Sequence, residues 1–314
     1  MTVLTAGETM ALLDPLGEGK PELGREFALR IAGAESNFGI ALVRLGVPVT
    51  WVSRLGTDPL GDAVHATLAE EGLDLRYVRR HEDAPTGLFL KWRAEGRTSV
   101  IYYRRGSAAS RLGPDDVPDE ALDGVALVHL TGITMALSAS ARELVVAVAR
   151  RARARGITVL FDPNWRSALW RSPGEALAAH REVLPSVDWY LCGLEEGNLL
   201  FETANADDLV AAVRDAGARA VVVRVAERGA LVPDGSGLKE IPPPRLAAVL
   251  DEVGAGDGFA AGFAYGVLQG YAPAESARLG NAIAAAALAG TGDWETFPRL
   301  HEVEPELLGH PPAR

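Results

Sequence analysis

The sequence predicts an α/β protein with a central, mostly parallel sheet wrapped by helices. Short apolar, β-rich runs alternate with longer helical patterns, and no internal repeat or linker interrupts the alternation. The runs predicted as buried strands are Val47–Ser53, Val125–Leu130, Thr158–Phe161, Trp189–Leu191 and Ala220–Val225. The patterns predicted as helices, each with one apolar face, are Ala141–Arg155, Gly174–Leu184 and Ala206–Ala216. Sheets of this kind bind ligands at the carboxyl ends of their strands.

Two interior segments depart from this alternation. One mixes proline, glycine and polar residues over residues 11–30. The other contains the β-rich runs Thr86–Arg93 and Thr98–Arg104, joined by a hairpin signal at Ala94–Arg97. Neither segment can form its own core, so we expect residues 11–30 and 86–105 to build a small β lid at the sheet edge. The α/β core then comprises residues 1–10, 31–85 and 106–314.

The composition limits the classes of function. The 314 residues are 48% hydrophobic, which is enough for one large α/β domain or two smaller ones. A formal net charge of −11 argues against nucleic-acid and anionic-membrane partners. The single cysteine, Cys192, excludes an internal disulfide framework and a cysteine-built metal site. With no signal-like leader and no apolar run of about 18 residues, a soluble cytoplasmic protein is expected.

The most informative motif lies in Asp251–Gly262 and contains the run Gly254-Ala255-Gly256-Asp257. Small residues let backbone N–H groups crowd together, and the alanine-rich sequence that follows predicts a helix beginning at this turn. Such a turn suits a phosphate, which a carboxylate would repel. Asp257 is therefore explained best as a base that deprotonates a hydroxyl attacking a bound phosphoryl group. The alternative is that Asp257 only caps the helix.

A second glycine-rich segment runs from Gly33 through Ala34 and Asn37 to Gly46. Its small residues allow close approach of a ligand, and the Asn37 amide can both donate and accept hydrogen bonds, as sugars require. The alternative is a helix N-terminus whose small residues serve packing.

On the predicted lid strand, Tyr102 and Arg104 share one face, and an arginine beside a phenol suits a carboxylate. A solvated lid edge is the alternative there.

Polar residues also follow several predicted strands. Asp162 and Arg166 lie just after Thr158–Phe161, where Arg166 suits a carboxylate or a phosphate, although Asp-Pro-Asn is also ordinary turn sequence. Glu196 follows the next strand, either as a Mg²⁺ ligand through water or as a charged helix start. Further along the chain, weaker nucleotide-side candidates are Arg224, Ala226 and Gly229 in a strand–turn–strand pattern, and Asn281 at the predicted start of an alanine-rich helix, Asn281–Ala289.

Several alternatives lack their signatures. The chain has no GxxxxGK[ST] loop and no early GxGxxG, which argues against P-loop and Rossmann dehydrogenase functions. Its six histidines show no metal-ligand spacing.

Taken together, these motifs resemble the PfkB (ribokinase-like) family of carbohydrate kinases, from Gly7 to about Pro298. The resemblance implies a three-layer ribokinase-like fold with a β lid that often forms a dimer interface, so a homo-oligomer is expected. It implies an anion hole at Gly254, Ala255, Gly256 and Asp257, with Asp257 as catalytic base. It also implies ATP and Mg²⁺ as cofactors, with a monovalent cation such as K⁺ as a further candidate.

Within the family, the chain looks most like 2-keto-3-deoxygluconate kinases. The predicted substrate residues are Gly33, Ala34, Asn37, Phe89, Tyr102, Arg104, Arg166 and Asp257, and the predicted nucleotide residues are Arg224, Ala226, Gly229, Gly254, Gly256 and Asn281. Three positions depart from the family pattern. Gly193 stands where asparagine is common, which puts the Mg²⁺ role of Glu196 in question. Ala226 replaces a frequent glycine, and Gly258 replaces a frequent alanine and should loosen the helix start.

The predicted reaction is transfer of a phosphoryl group from ATP to a primary hydroxyl of a sugar acid, expected at C6. The first alternative is a related kinase for fructose, another ketose or 5-dehydro-2-deoxygluconate. The second is a non-catalytic nucleotide or sugar sensor on the same scaffold.

Overall fold

A computed structural model describes residues 1–94, 97–235, 237–245, 249 and 253–303; of Arg97 only the backbone is described. Asp251 and Glu252 of the glycine-rich motif lie outside the described residues. In chain order, the described strands are β1 (Thr2–Ala6), β2 (Met10–Pro15), β3 (Phe27–Ala32), β4 (Val49–Gly56), β5 (Val78–His81), β6 (Leu88–Ala94), β7 (Arg97–Tyr103), β8 (Val125–Thr131), β9 (Thr158–Asp162), β10 (Trp189–Gly193), β11 (Ala220–Arg224), β12 (Ala230–Asp234) and β13 (Gly237–Ile241). The described helices are α1 (Ala34–Arg44), α2 (Pro59–Glu70), α3 (Gly132–Leu137), α4 (Ala139–Ala154), α5 (Pro173–Val183), α6 (Leu194–Phe201), α7 (Ala206–Asp215), α8 (Ala255–Leu268) and α9 (Pro273–Leu288).

Within these residues, nine strands form the main sheet in the order β13-β12-β11-β10-β9-β8-β1-β4-β5. All neighbouring strands from β11 to β5 pair in parallel, while β12 and β13 add an antiparallel edge. Because parallel strands end at the same edge, residues after β9, β10 and β11 are brought together there. The predicted α/β class with a mostly parallel sheet is confirmed.

Each face of the main sheet carries its own apolar core. One core contains side chains of α4, α5 and α7, such as Leu144, Ala176 and Leu209. The other contains side chains of α1 and α8, such as Phe38 and Phe263. Burial on both faces explains why the central strands are nearly continuous runs of valine and leucine, a pattern typical of parallel sheets.

Helices α8 and α9 pack closely because glycines face each other between them. A Cβ on Gly262 would lie 2.8 Å from the Gly280 Cα, and one on Gly280 would lie 3.0 Å from the Phe259 ring. The alanine- and glycine-rich sequence of both helices therefore serves their mutual packing. Asn281 lies in the middle of α9, so the prediction that it begins a helix was wrong.

The lid is a four-stranded sheet in the order β3-β2-β6-β7. The β6–β7 pair is the predicted hairpin, and residues 11–30, predicted as part of the lid without defined strands, contain most of β2 and β3, paired in antiparallel register. Met10, Leu12, Ala32 and Phe89 form a small apolar cluster on the inner face, and Tyr102 packs against it. No helix in the described part of the chain is long and apolar enough to cross a membrane.

Candidate active site

The N-terminus of α8 faces the strand-end edge of the main sheet. Gly254 precedes the helix with a φ of 82°, a left-handed conformation that favours glycine. A Cβ on Gly254 would overlap the Asp293 carbonyl oxygen, so only glycine fits this contact. In the described residues, the first helical hydrogen bond runs from Gly258 N–H to the Gly254 carbonyl at 2.9 Å. The N–H groups of residues 255–257 precede that bond, as the first N–H groups of a helix do.

Asp257 lies in the first turn of α8 and does not cap the helix, because its carboxylate accepts hydrogen bonds from other elements. Asn37 Nδ2 donates to Asp257 Oδ2 at 2.8 Å, and Asn164 Nδ2 donates to Oδ1 at 3.2 Å. Asp257 is half-buried, so part of the residue remains exposed. Two neutral amides thus fix the orientation of this carboxylate without neutralising it.

Burial raises the pKa of Asp257 to about 7, because desolvation disfavours the charged form. The Asn37 hydrogen bond and the positive charge of Arg166 act in the opposite direction, while Asp162 and Asp293 raise the pKa further. A carboxyl group with a pKa near the working pH is suited to proton transfer. The site therefore contains an oriented carboxylate suited to proton transfer, beside backbone amides.

A second carboxylate near the strand ends, Asp162, forms a bidentate ion pair with an arginine. Arg224 Nη1 donates to Asp162 Oδ2 at 2.6 Å and Nη2 donates to Oδ1 at 3.1 Å. The same guanidinium donates to Glu196 Oε1 at 3.1 Å and to the Gly256 carbonyl at 3.3 Å. Arg224 thereby connects the ends of β9 and β11 and the start of α6 to residues 254–257, the predicted anion-binding turn. Its predicted nucleotide contact stays a prediction.

Glu196 caps the N-terminus of α6. Its carboxylate accepts hydrogen bonds from Gly193 N–H at 2.5 Å and from Trp165 N–H at 3.0 Å, in addition to Arg224. The helix-start interpretation is therefore the one the contacts bear out. Among the described residues, no three His, Cys, Asp or Glu side chains converge to hold a metal ion. The water-mediated Mg²⁺ role of Glu196 stays a prediction.

The glycine-rich segment around Gly33 is organised by its own packing. A Cβ on Gly33 would collide with the backbone of Glu8 and Thr9. The glycine therefore lets this neighbouring segment of the chain pack closely against the start of α1. Ala34 begins α1, and Asn37 lies one turn further on with its amide on Asp257. The buried Glu35 between them accepts hydrogen bonds at 2.5 Å from both Thr131 and Thr134, joining α1 to the end of β8.

The lid places Phe89 and Tyr102 side by side on its inner face, with ring centroids 5.6 Å apart. Tyr103 points to the opposite face and is 61% exposed, as the predicted alternation requires. Arg104 follows β7 and is buried, with Nε donating to Glu8 Oε2 at 2.7 Å. Ser107 also donates to Glu8, at 2.5 Å. The Arg104 guanidinium is thus already paired, and its substrate contact stays a prediction.

Arg166 differs from Arg104 in being exposed and without a carboxylate partner in the described residues. Its Nη1 donates to the Trp165 carbonyl at 3.0 Å, and its charge lowers the pKa of Asp257. Arg166 is therefore a cation available to a ligand beside the proposed base.

On the nucleotide side, the predicted strand–turn–strand is confirmed as β11, a short 3₁₀ turn at Ala226–Arg228, and β12. Ala226 has a φ of 42° and Gly229 a φ of 85°. The glycine that is frequent at position 226 is thus explained by a left-handed backbone. Asn281 is buried and donates to the Ile241 carbonyl at 2.8 Å, so it holds the end of β13.

Sequence reasoning missed three residues that help to form the site. Asn164, with a φ of 40°, holds Asp257; the Asp-Pro-Asn signal indicated the turn but not this contact. Asp293 contacts Gly254 through its carbonyl, and Glu8 holds Arg104. These contacts join segments far apart in the sequence, which no local pattern reveals.

An α/β fold with a helix N-terminus and an oriented carboxylate at the strand ends, together with a small β lid, is typical of sugar phosphotransferases. The model of the pfkB family of carbohydrate kinases matches residues 2–299, and the chain belongs to this family. It is a carbohydrate kinase.

The chain is 35% identical over 302 residues to 2-dehydro-3-deoxygluconokinase of Bacillus subtilis (strain 168), covering 95% of this chain and 93% of that protein. It is 32% identical to 2-dehydro-3-deoxygluconokinase of Thermoproteus tenax, covering 98% and 94%. Among solved structures, a putative ribokinase II from E. coli in complex with ATP and Mg²⁺ superposes with a TM-score of 0.86 at 25% identity, covering 96% and 97%.

Proposed function

We propose that the protein transfers the γ-phosphoryl group of ATP to the C6 hydroxyl of 2-keto-3-deoxygluconate, also called 2-dehydro-3-deoxygluconate. The observation that carries this proposal is the half-buried Asp257 carboxylate, held by two amides at the start of α8 with a pKa of about 7. Both relatives described above are named for this substrate.

In the proposed reaction, Asp257 accepts the proton of the attacking primary hydroxyl. Its hydrogen bonds from Asn37 and Asn164 aim the carboxylate, and partial burial keeps it basic enough to act near neutral pH. The N–H groups of residues 255–257 stabilise charge on the transferring group, because a helix N-terminus favours anions. The bond between the γ-phosphorus and the oxygen that bridges it to the β-phosphate breaks, ADP leaves, and the sugar hydroxyl oxygen forms the new bond to phosphorus.

The substrate carboxylate is assigned to Arg166, because its guanidinium is exposed and has no carboxylate partner in the described residues. Phe89 and Tyr102 form an apolar and aromatic wall above the sugar. Gly33, Ala34 and Asn37 line the opposite side, where α1 begins. Arg104, held by its ion pair with Glu8, packs against the Tyr102 ring and supports the aromatic wall.

ATP is assigned to the cleft between the α8 N-terminus and the turn at Ala226–Gly229. Its Mg²⁺ neutralises phosphate charge when bound. The described residues supply two carboxylates near this position, Asp162 and Glu196, and both are engaged by Arg224. We therefore expect Mg²⁺ to be held chiefly by phosphate oxygens and water, with Glu196 reaching it through water.

A requirement for K⁺ stays a prediction, tested by replacing K⁺ with tetramethylammonium.

A substrate panel tests the proposal. The purified protein is given ATP and Mg²⁺ with 2-keto-3-deoxygluconate, 5-dehydro-2-deoxygluconate, fructose or no sugar, and ADP release and the product phosphate position are measured. We expect the highest kcat/KM for 2-keto-3-deoxygluconate and phosphate on C6. A preference for fructose would show that Arg166 does not select an acid, and nucleotide binding without turnover of any sugar would favour the sensor alternative.

We also propose that the lid forms a homodimer through its outer face. Leu29, Leu13, Leu90 and Ile101 stand side by side across all four lid strands, and Leu29 and Ile101 are 51% and 45% exposed. Such an apolar stripe on a sheet face is unusual for a monomer surface. Light scattering should give twice the mass of 33.2 kDa, and Ile101→Asp should give monomers. A wild-type monomer would contradict this assembly.

The use of ATP is the reason to expect the protein in the cytoplasm.

A further inference from the structure

A buried ion pair joins the lid to the segment that contacts the anion-binding turn. Lys91 lies on the inner face of β6, and its Nζ donates to Asp293 Oδ1 at 3.1 Å. The two side chains are only 6% and 5% exposed. A lysine and an aspartate this far out of water require a compensating partner, so the pairing is structurally demanding.

Residues 293–297, the C-terminal segment, are held from the lid and from the core at once. On the lid side, Trp294 Nε1 donates to the Ile31 carbonyl at 3.0 Å and Arg30 Nη1 pairs with Glu295 at 2.7 Å. On the core side, Arg44 Nη1 donates to the carbonyls of residues 294, 295 and 297. A displacement of β3 or β6 therefore acts directly on this segment.

The same segment packs directly against the anion-binding turn. The Asp293 carbonyl lies where a Cβ of Gly254 would stand, so the turn and the segment cannot move independently. The Asp293 carboxylate is also close enough to Asp257 to raise its pKa. Asp293 thus contacts the lid through its side chain and the turn through its backbone.

We propose that Lys91 is a positioning residue that couples the lid to the anion-binding turn through its ion pair with Asp293. The inference rests on the proposed function, because the lid covers the sugar while the turn binds the transferring phosphate. A lid in place fixes Asp293, and Asp293 then holds Gly254 and the amides of residues 255–257 in position for transfer.

The test compares Lys91→Met, Lys91→Arg and Asp293→Asn with Lys239→Met, an exposed lysine on β13 that serves as the matched control. We expect Lys91→Met to lower kcat/KM for the sugar acid about 10- to 100-fold, because small misplacements in a transfer site have effects of this size. The affinity for an ATP analogue without sugar should stay within about twofold of wild type, since the mutation changes coupling rather than the nucleotide contacts. Lys91→Arg should restore most of the activity, and Lys239→Met should match wild type.

A pH profile separates positioning from simple structural support. The charged and hydrogen-bonding groups facing Asp257 are Arg166, Asp162, Asp293, Asn37 and Asn164. Without the Lys91 ammonium, the negative charge of Asp293 acts more strongly on Asp257, so the acid limb of kcat/KM should move to higher pH. In the double variant with Asp293→Asn, that shift should disappear.

Two kinetic results would overturn the inference. One is a Lys91→Met protein that melts earlier but keeps the wild-type kcat, KM and pH profile. The other is failure of a well-folded Lys91→Arg to restore activity. If wild type does not phosphorylate 2-keto-3-deoxygluconate, the proposed function fails, and hydrogen exchange still tests the coupling. Peptides from residues 88–94 and 254–262 should then both exchange faster in Lys91→Met than in Lys239→Met, and unchanged exchange in residues 254–262 would refute it.

Discussion

Two aspartates in the same cleft, Asp257 and Asp162, have opposite environments. Asp162 is 1% exposed and receives both arms of the Arg224 guanidinium, whose single positive charge it shares with Glu196. Asp257 is half-buried and receives only the neutral amides of Asn37 and Asn164. Burial raises the pKa of Asp162 as well as that of Asp257, but the Asp162 oxygens are occupied by guanidinium N–H groups, whereas Asp257 stays partly exposed between neutral amides.

The comparison assigns different tasks to similar residues. Asp162 belongs to a network that holds the strand ends and Gly256 together, and Asp257 is the proposed base. The difference lies in the partners, because both aspartates are partly or wholly removed from water. Each of the following predictions tests one side of this comparison.

The largest effect is expected for Asp257→Asn. Loss of the base should lower kcat about 10²- to 10⁴-fold, the usual contribution of general acid–base catalysis. ATP affinity should change little, because the amides of the turn remain. Steady-state kinetics and nucleotide titration measure both quantities. Asp215→Asn, on the exposed side of α7, is the matched control, and equal turnover in the two variants would remove Asp257 from the mechanism.

On the other side of the comparison, Arg224→Met should mainly destabilise the fold. It leaves Asp162 buried without its cation, and breaking a buried pair costs about 3–5 kcal/mol of unfolding free energy. Urea denaturation measures this loss. The control is Arg228→Met, whose ion pair with Glu240 is exposed and should not affect the midpoint. Equal stability of both variants would show that the Asp162 network is not structural.

Arg166→Ala tests the cation beside the base. Losing a charge-assisted hydrogen bond to the sugar acid should raise its KM about 10- to 100-fold, with little change in the KM for ATP. Arg171→Ala, at an exposed position on the same loop, is the control. A selective defect in ATP binding would instead place Arg166 on the nucleotide side.

The pH dependence of wild type tests the environment of Asp257 directly. The base must be ionised, and burial raises its pKa to about 7, so kcat/KM should fall about tenfold per unit as the pH drops below 7. Since Arg166 lowers this pKa, Arg166→Ala should move the acid limb upward. An activity that stays constant down to pH 5 would mean that Asp257 is ionised there and less buried than the structure indicates.

The smallest effect concerns Gly258, next to the base. Helix propensity alone predicts that Gly258→Ala stabilises α8 by up to about 1 kcal/mol. In the structure, however, the new Cβ would lie 2.8 Å from Phe297 and 3.3 Å from Ile283, so we expect a loss of about 1–3 kcal/mol through overpacking. Gly174→Ala on α5, where the nearest atom is 3.8 Å away, should be neutral or stabilising. Thermal unfolding of both variants decides between the two expectations.

Much of the fold follows from local pattern. The strand predicted as Thr158–Phe161 is observed as Thr158–Asp162, and the helix predicted as Gly174–Leu184 is observed as Pro173–Val183. The sequence pattern misplaced polar strand ends such as Asp162, because hydrophobic periodicity stops where a strand reaches the ligand cleft. It placed residues 11–30 in the lid but did not delimit β2 and β3, because the glycines and the proline between these two strands resemble a loop.

By itself, the sequence determined the α/β class, the helix that begins at the glycine-rich turn, and the presence of Asp257 in that turn, because glycine geometry and apolar periodicity act over a few neighbouring residues. Only the tertiary structure decided which carboxylate is tied to an arginine and which is held by neutral amides. Asn37 reaches Asp257 across 220 residues of sequence and Arg224 reaches Asp162 across 62, so their partners depend on how the strands are ordered in the sheet. Burial and charge at a site are sums over such distant neighbours, and no local pattern encodes them.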